Sequence, residues 1–191
     1  VSTYVQTHAD NLNTMLQDPV FCTILHYISG VLMPAVVVGG CNPFVDSLVW
    51  KILKDLPFQT RFECYDSWKV SGSGSGSGAK PGSGSHACLA DVYHEECKAL
   101  HGAKQQFKRL TKDNVKLIGR QLAKYSHHCP LPVFTFMLAQ LECYENLIPF
   151  VVEALKYSTE LTRDVLAYCL VLSMQRDSKS TPKIKPGETH Y

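Results

Sequence analysis

The chain has 191 residues, 45% of them hydrophobic and 19% charged, which is enough apolar material to bury the core of one ordinary domain and too much for a disordered polymer. A formal net charge of only +2 excludes a polycation that coats nucleic acid with its whole surface, so any electrostatic partner has to be attracted locally. The eight cysteines fall at irregular intervals without CxxC pairs, mostly inside apolar helical patterns, and read as reduced thiols of an intracellular protein.

The chain opens at Val1 without a charged leader and reads as a piece of something longer. After a short N-terminal piece, Asp18-Pro19 offers an N-cap followed by Pro at the first helical position, predicting a helix that kinks or stops near Pro34. The uncharged run from Pro19 to Val45 has a membrane-like length, interrupted only by His26. Pro34, the glycines at 30, 39 and 40, and a stripe of Phe21, Ile24, Leu25, Ile28 and Leu32 favour a buried helix over a transmembrane span. Asn42-Pro43 repeats the cap, and the next helix places Val45, Leu48, Val49, Ile52 and Leu56 on one side before Leu56-Pro57 ends it. Phe58, Phe62, Tyr65 and Trp68 then form an aromatic-rich helix expected to dock on its predecessor.

From Ser71 to Ser85 the sequence SGSGSGSGAKPGSGS cannot bury enough surface to offset the entropy of ordering it, and predicts a flexible tether with a root-mean-square span of about 20 Å. Its regularity fits an engineered splice or a variable loop equally well. It is not a phosphate-binding loop, since it lacks a Lys-Ser/Thr ending and a preceding hydrophobic strand.

Residues 87–110 read as one long helix despite Gly102, followed by a basic helix from 112 to about 126 for which Thr111 is a suitable N-cap. Here Val115, Ile118, Leu122 and Tyr125 recur at helical steps, while Lys112, Lys116, Arg120 and Lys124 recur every four residues on the other side. Lys104, Lys108 and Arg109 extend the basic face upstream. Seven of the 19 basic residues lie between Lys104 and Lys124, against the single acid Asp113. Such a row is either a solvated helix face or a surface for nucleic acid or an acidic partner. Pro130 and Pro132 bound the next turn. A stripe of Phe134, Met137, Leu138, Leu141, Leu147 and Ile148 follows, with a break expected at Pro149. Val151, Val152 and Leu155 predict a short helix, and Leu161, Val165, Tyr168, Cys169 and Leu172 another. The polar stretch from Arg176 to Tyr191 reads as a mobile tail.

No segment shows sustained period-two alternation, so the predicted fold class is all-α, with antiparallel helix pairs stacked as an α-solenoid. The organisation is N-terminal helices over residues 1–70, the linker over 71–85, helical hairpins of the same solenoid over 86–175, and the tail over 176–191.

Four blocks resemble the THO complex subunit 2 family, large scaffold subunits of nuclear mRNA export and transcription-coupled RNA packaging. They are Cys41-Asn42-Pro43 with LPFQTRFECYDSWK (56–69), KRLTKDNVKLIGRQLAKYSH (108–127), YENLIPFVVEALKY (144–157), and DVLAYC (164–169). They occur in the family's order. The resemblance implies structural roles for Asn42, Pro43, Pro57, Arg61, Tyr65, Trp68, Asn114, Gly119, His127, Asn146, Lys156, Tyr157 and Asp164. It also implies a nuclear, non-catalytic scaffold fragment that docks other THO subunits and a DEAD-box RNA helicase, with RNA backbone as a further contact for the basic row. Neither a cofactor, a small-molecule substrate nor a membrane is expected. His128-Cys129-Pro130 departs from the family's Asn-Pro, so the helix after it loses a good N-cap.

Rival readings attach to single sites. His94, Cys97 and His101, with Cys88 nearby, have spacing that could share a helical face around zinc, although packing and boundary positions explain them as well. His127, His128 and Cys129 suggest a thiol–imidazole pair, but neighbours in a turn seldom face one another; His127 better suits the end of the basic helix, partly charged against its dipole. Arg61, Tyr65 and Trp68 could anchor a partner if exposed, and burial is the preferred reading. A helical hydrolase would need clustered ligands, for which only Asp10, Asp46 and Asp91 are candidates. A helical-repeat module of the translation initiation scaffold type would share the architecture and differ in being cytoplasmic.

Overall fold

The structure, a computed structural model, describes residues 18–40, 42–68 and 86–179, without the side chains of Ser67, 86–89 and 176–179. The N-terminal piece with Asp10, the Gly/Ser tether at 71–85, the Cys88 side chain and the tail beyond Lys179 lie outside the described residues. Within them the chain is helical and holds no strand.

Helix α1 (Pro19–Tyr27) starts as its sequence dictates: the Asp18 carboxylate accepts from the Val20 N–H at 2.8 Å, and Pro19 supplies the first helical φ. It passes through a π-helical turn, Ile28–Leu32, into α2 (Met33–Val38). The widened turn lies immediately before Pro34, whose ring would clash with a carbonyl four residues back in a regular helix. Pro19–Val38 is long and apolar enough, by length and composition, to cross a membrane. One side of it, Phe21, Ile28, Met33, Val36 and Val37, is at most 5% exposed against the protein's own core, while Val20, Tyr27, Val31 and Val38 on the other side are exposed. Gly40, at φ 80°, reverses the chain in the left-handed region that other residues resist.

Helix α3 (Pro43–Leu53) is capped by Asn42, which accepts from the Phe44 N–H at 3.0 Å. Its buried face is rotated from the predicted one. Val49 and, just past the helix, Leu56 are buried as predicted, but Asp46 and Leu53 also point inward, Val45 and Ile52 are half-buried and Leu48 is exposed; Asp46 accepts a hydrogen bond from Thr159 across the core. The aromatic helix α4 (Phe58–Trp68) packs mainly on the π turn and on the last helix, not on its predecessor.

Helix α5 (His86–Phe107) is continuous, as predicted. Helix α6 (Val115–His128) starts three residues later than expected. Thr111 is not its cap: its N–H donates to the Asn114 side chain at 2.8 Å, while the Asn114 amide donates to the Arg109 carbonyl at 2.6 Å, tying residues 109–114 into a turn. Helix α7 (Pro130–Cys143) begins at Cys129, which makes no side-chain capping bond, in line with the missing Asn. A 3-10 turn (Glu145–Leu147) precedes α8 (Ile148–Leu155), so the break falls at Tyr144 and Pro149 lies in the first turn of a helix. Helix α9 (Glu160–Lys179) runs four residues into the stretch read as a tail.

Helices α5 and α6 form a hairpin, α7 packs against both, and α8 lies across α6. Helix α9 contacts α7 on one side and α3 and α4 on the other, so chain-distant helices share one continuous core. The space left between α6, α7 and α8 is only about 10 Å³, at the lower limit for a water molecule.

Candidate interaction surface

Six of the residues that carry the family resemblance, Arg61, Tyr65 and Asp164 in one group and Gly119, His127 and Tyr157 in the other, lie at two internal junctions. At the first, the Arg61 guanidinium donates from Nε and Nη2 to the two Asp164 oxygens at 2.8 and 3.0 Å, and from Nη1 to the Leu56 carbonyl at 2.5 Å. Its plane also lies 5.5 Å from the Trp50 ring centroid. Tyr65, fully buried, donates its hydroxyl to Asp164 at 2.8 Å, and burial beside that carboxylate pushes its own pKa upward. One ion pair thus joins α3, the turn at Pro57, α4 and α9. Tyr168 reinforces it from α9, stacking edge-on against Phe62 and Tyr65 and donating to Asp66 at 2.8 Å. Trp68 is 3% exposed, so Arg61, Tyr65 and Trp68 are structural and do not form an exposed anchor.

At the second junction α6 crosses α8. A Cβ on Gly119 would lie 2.9 Å from the Ala154 Cα and 3.3 Å from the Tyr157 ring, so only hydrogen fits between the two helices. We expect Gly119→Ala to destabilise the chain by about 1–3 kcal/mol in chemical denaturation, because overpacking against backbone exceeds the helix-propensity gain. A neutral or stabilising result would show that the crossing can widen. Tyr157 also lies 5.4 Å beneath the Arg120 guanidinium. His127 is buried here, and desolvation lowers its pKa against the opposing effect of a hydrogen bond to the Tyr157 backbone. The ring is therefore held towards its neutral form, not partly charged against the helix dipole as expected.

All seven predicted basic residues are exposed, but they do not form one face. Lys116, Arg120 and Lys124 lie on the solvent side of α6, where Arg120 covers the Tyr157 ring. Lys112 sits in the 109–114 turn, off the helical row, because Asn114 folds that turn before the helix begins. Lys104 and Lys108 lie on a different flank. Gly102 abuts Tyr125 of α6, and two residues on, roughly 200° round the helix, Lys104 turns towards α7, with its Nζ 5.6 Å from the Phe136 ring centroid. Arg109 begins the same 109–114 turn that holds Lys112. Of the remaining motif residues, Asn146 is exposed in the 3-10 turn and Lys156 is an exposed partner of Glu153.

The reactive-site candidates are placed differently from what their chemistry would need. His94, Cys97 and His101 are exposed, and no group of three His, Cys, Asp or Glu side chains that could hold a metal occurs among the described residues. Cys129 is 1% exposed, and burial together with Glu96 and Glu95 pushes its thiol pKa up, the reverse of an activated nucleophile. His128 instead meets the Val37 carbonyl through Nε2 and lies 3.7 Å from Glu95, a tie between α2, α5 and α6 that its sequence neighbours gave no means of anticipating. Among the described residues no disulfide occurs; Cys64, Cys129 and Cys169 are buried, and Cys22, Cys97 and Cys143 exposed.

Comparison with known proteins places the chain in a family. Residues 8–120 match the family described as THO complex subunit 2 N-terminus, and residues 122–190 match one described as transcription- and export-related complex subunit. Human THO complex subunit 2 is 35% identical over 166 residues, covering 87% of this chain and 10% of that protein. The Arabidopsis thaliana protein of the same name is 28% identical over 152 residues, covering 80% and 8% respectively. The Saccharomyces cerevisiae one is 25% identical over 150 residues, covering 78% and 9%. The chain therefore spans about a tenth of the length of these relatives. Because the first description alone matches more than half of the chain and the second continues almost to its end, the chain belongs to the THO complex subunit 2 family.

Proposed function

We propose that this chain is a non-catalytic scaffold segment of the THO complex, working in nuclear mRNA processing and export, where it docks other THO subunits and a DEAD-box RNA helicase. The observation that carries the reading is where the motif residues go. Arg61, Tyr65, Gly119, Tyr157 and Asp164 are all engaged in holding helices together, which leaves the outer faces for partners. In the proposed arrangement the hairpins of 86–175 stack on the helices of 1–70 as one solenoid segment joined by the Gly/Ser tether, an architecture that exposes long surfaces for docking. The row of Lys116, Arg120 and Lys124 serves as the electrostatic contact, for RNA phosphates or acidic side chains, without reading bases.

The test is affinity purification of the tagged chain from nuclear extract, with THO subunits and the helicase identified by mass spectrometry. Their absence with the wild-type chain rejects the scaffold reading. The triple variant Lys116→Glu/Arg120→Glu/Lys124→Glu should keep its helical circular dichroism. If the row meets RNA, it should reduce the slope of log affinity for oligo(U) against log salt by about 2. Unchanged recovery of partners together with unchanged RNA binding rejects the role of the row and leaves the scaffold reading standing.

A further inference from the structure

The flank that carries Lys104 and Lys108 borders a cleft of about 320 Å³ between the end of α5, helix α7 and the 3-10 turn. Its floor is made by Phe107 and Leu110, both buried, and by the half-buried Phe136 and Leu147. The two lysines form its rim, and among the described residues no carboxylate lines it. From these features we infer that this cleft is a docking site for a short acidic segment of a partner protein that inserts one or two large apolar side chains. The apolar floor rewards removal of a hydrocarbon or aromatic side chain from water and would penalise a phosphate placed against it. The exposed ammonium groups at the rim, with Arg109 and Lys112 in the adjoining turn, attract carboxylates that flank such an anchor. Of the three aromatic rings in the lining, Phe107 is buried and Phe136 lies under Lys104, which leaves the exposed Tyr144 as a single stacking platform where a strand of bases would need several. A protein segment therefore suits the cleft better than RNA, and the site is separate from the Lys116, Arg120 and Lys124 row. The inference rests on the scaffold reading only in taking the occupant to be a protein.

The experiment titrates the 191-residue chain into a panel of fluorescein-labelled, twelve-residue peptides of Asp and Glu carrying Leu, Phe or Trp pairs three or four positions apart, followed by anisotropy. At least one anchored peptide should bind saturably, and replacing its anchors with Ala should weaken it by about tenfold or more. Lys104→Glu/Lys108→Glu, at two exposed positions, should weaken the same peptide about tenfold while leaving the melting temperature in place. Gln140→Trp, which fills the cleft, should abolish binding; if that variant does not fold, the peptide series and the lysine variant decide. Binding by no peptide, equal binding of the anchor-free peptides, or displacement by oligo(U) that depends on the same two lysines overturns the inference. None of these outcomes changes the recovery of THO subunits by the wild-type chain, so the two readings fail separately.

Discussion

Asp164→Ala is expected to destabilise the folded chain by about 3–5 kcal/mol, because it leaves the Arg61 guanidinium confined between α3, α4 and α9 without its counter-ion. The side chains of the pair are only 16% and 14% exposed, so solvent screens little of that loss. Tyr65→Phe removes one neutral donor from the same carboxylate and should cost about 1 kcal/mol. Denaturant midpoints at constant m-value provide the measurement. The double variant Arg61→Met/Asp164→Leu should recover most of the loss, since well-packed apolar replacements of a buried pair are often neutral. A single-variant cost below about 1 kcal/mol would show that the guanidinium escapes to water and that the junction is held by its aromatic rings instead.

Asp46→Asn should do the opposite and stabilise the chain, in a pH-dependent way. Asp46 is 1% exposed, and burial raises its pKa from the ordinary 3.8 to about 6, with the Thr159 hydroxyl pulling partly the other way. The folded chain therefore holds this proton more tightly than the unfolded chain. Below about pH 4 both states are protonated and no penalty exists. As the pH rises through the interval up to about 6 the folded state must either keep a proton the solvent would take or bury a charge, and stability falls. A shift of that size corresponds to roughly 3 kcal/mol at pH 7. Asparagine keeps an acceptor for Thr159 without the charge, so its advantage should be largest at pH 7 and vanish near pH 3.5. Equal gains at both pH values would assign the effect to packing.

What could be read beforehand was local chemistry. Asp18 and Asn42 cap helices at the predicted positions because a cap is decided within three residues. The inward residues of α9 from Leu161 to Cys169 follow from helical spacing alone. Where the reading of local structure failed, a second local interaction or a distant partner had prevailed. The four-residue step of basic residues runs through 112 in the sequence, but Asn114 bonds back to Arg109 and stops the helix from starting there. Asp46 looked like a stray ligand and proved to be a tie to Thr159, 113 residues away. The family resemblance flagged Arg61, Asp164 and Gly119 without supplying a reason. That reason is tertiary: Arg61 and Asp164 are separated by 103 residues, and Gly119 matters because of what α8 places against it.

The two family descriptions meet between residues 120 and 122, in the middle of α6. The meeting point bisects a rod whose first half carries the tight glycine crossing and whose second half carries Leu122 and Ala123 in the core. A fragment ending at the seam would carry a frayed half-helix and an open greasy wall, so dissection of this subunit has to place its cuts outside the span from α1 to α9.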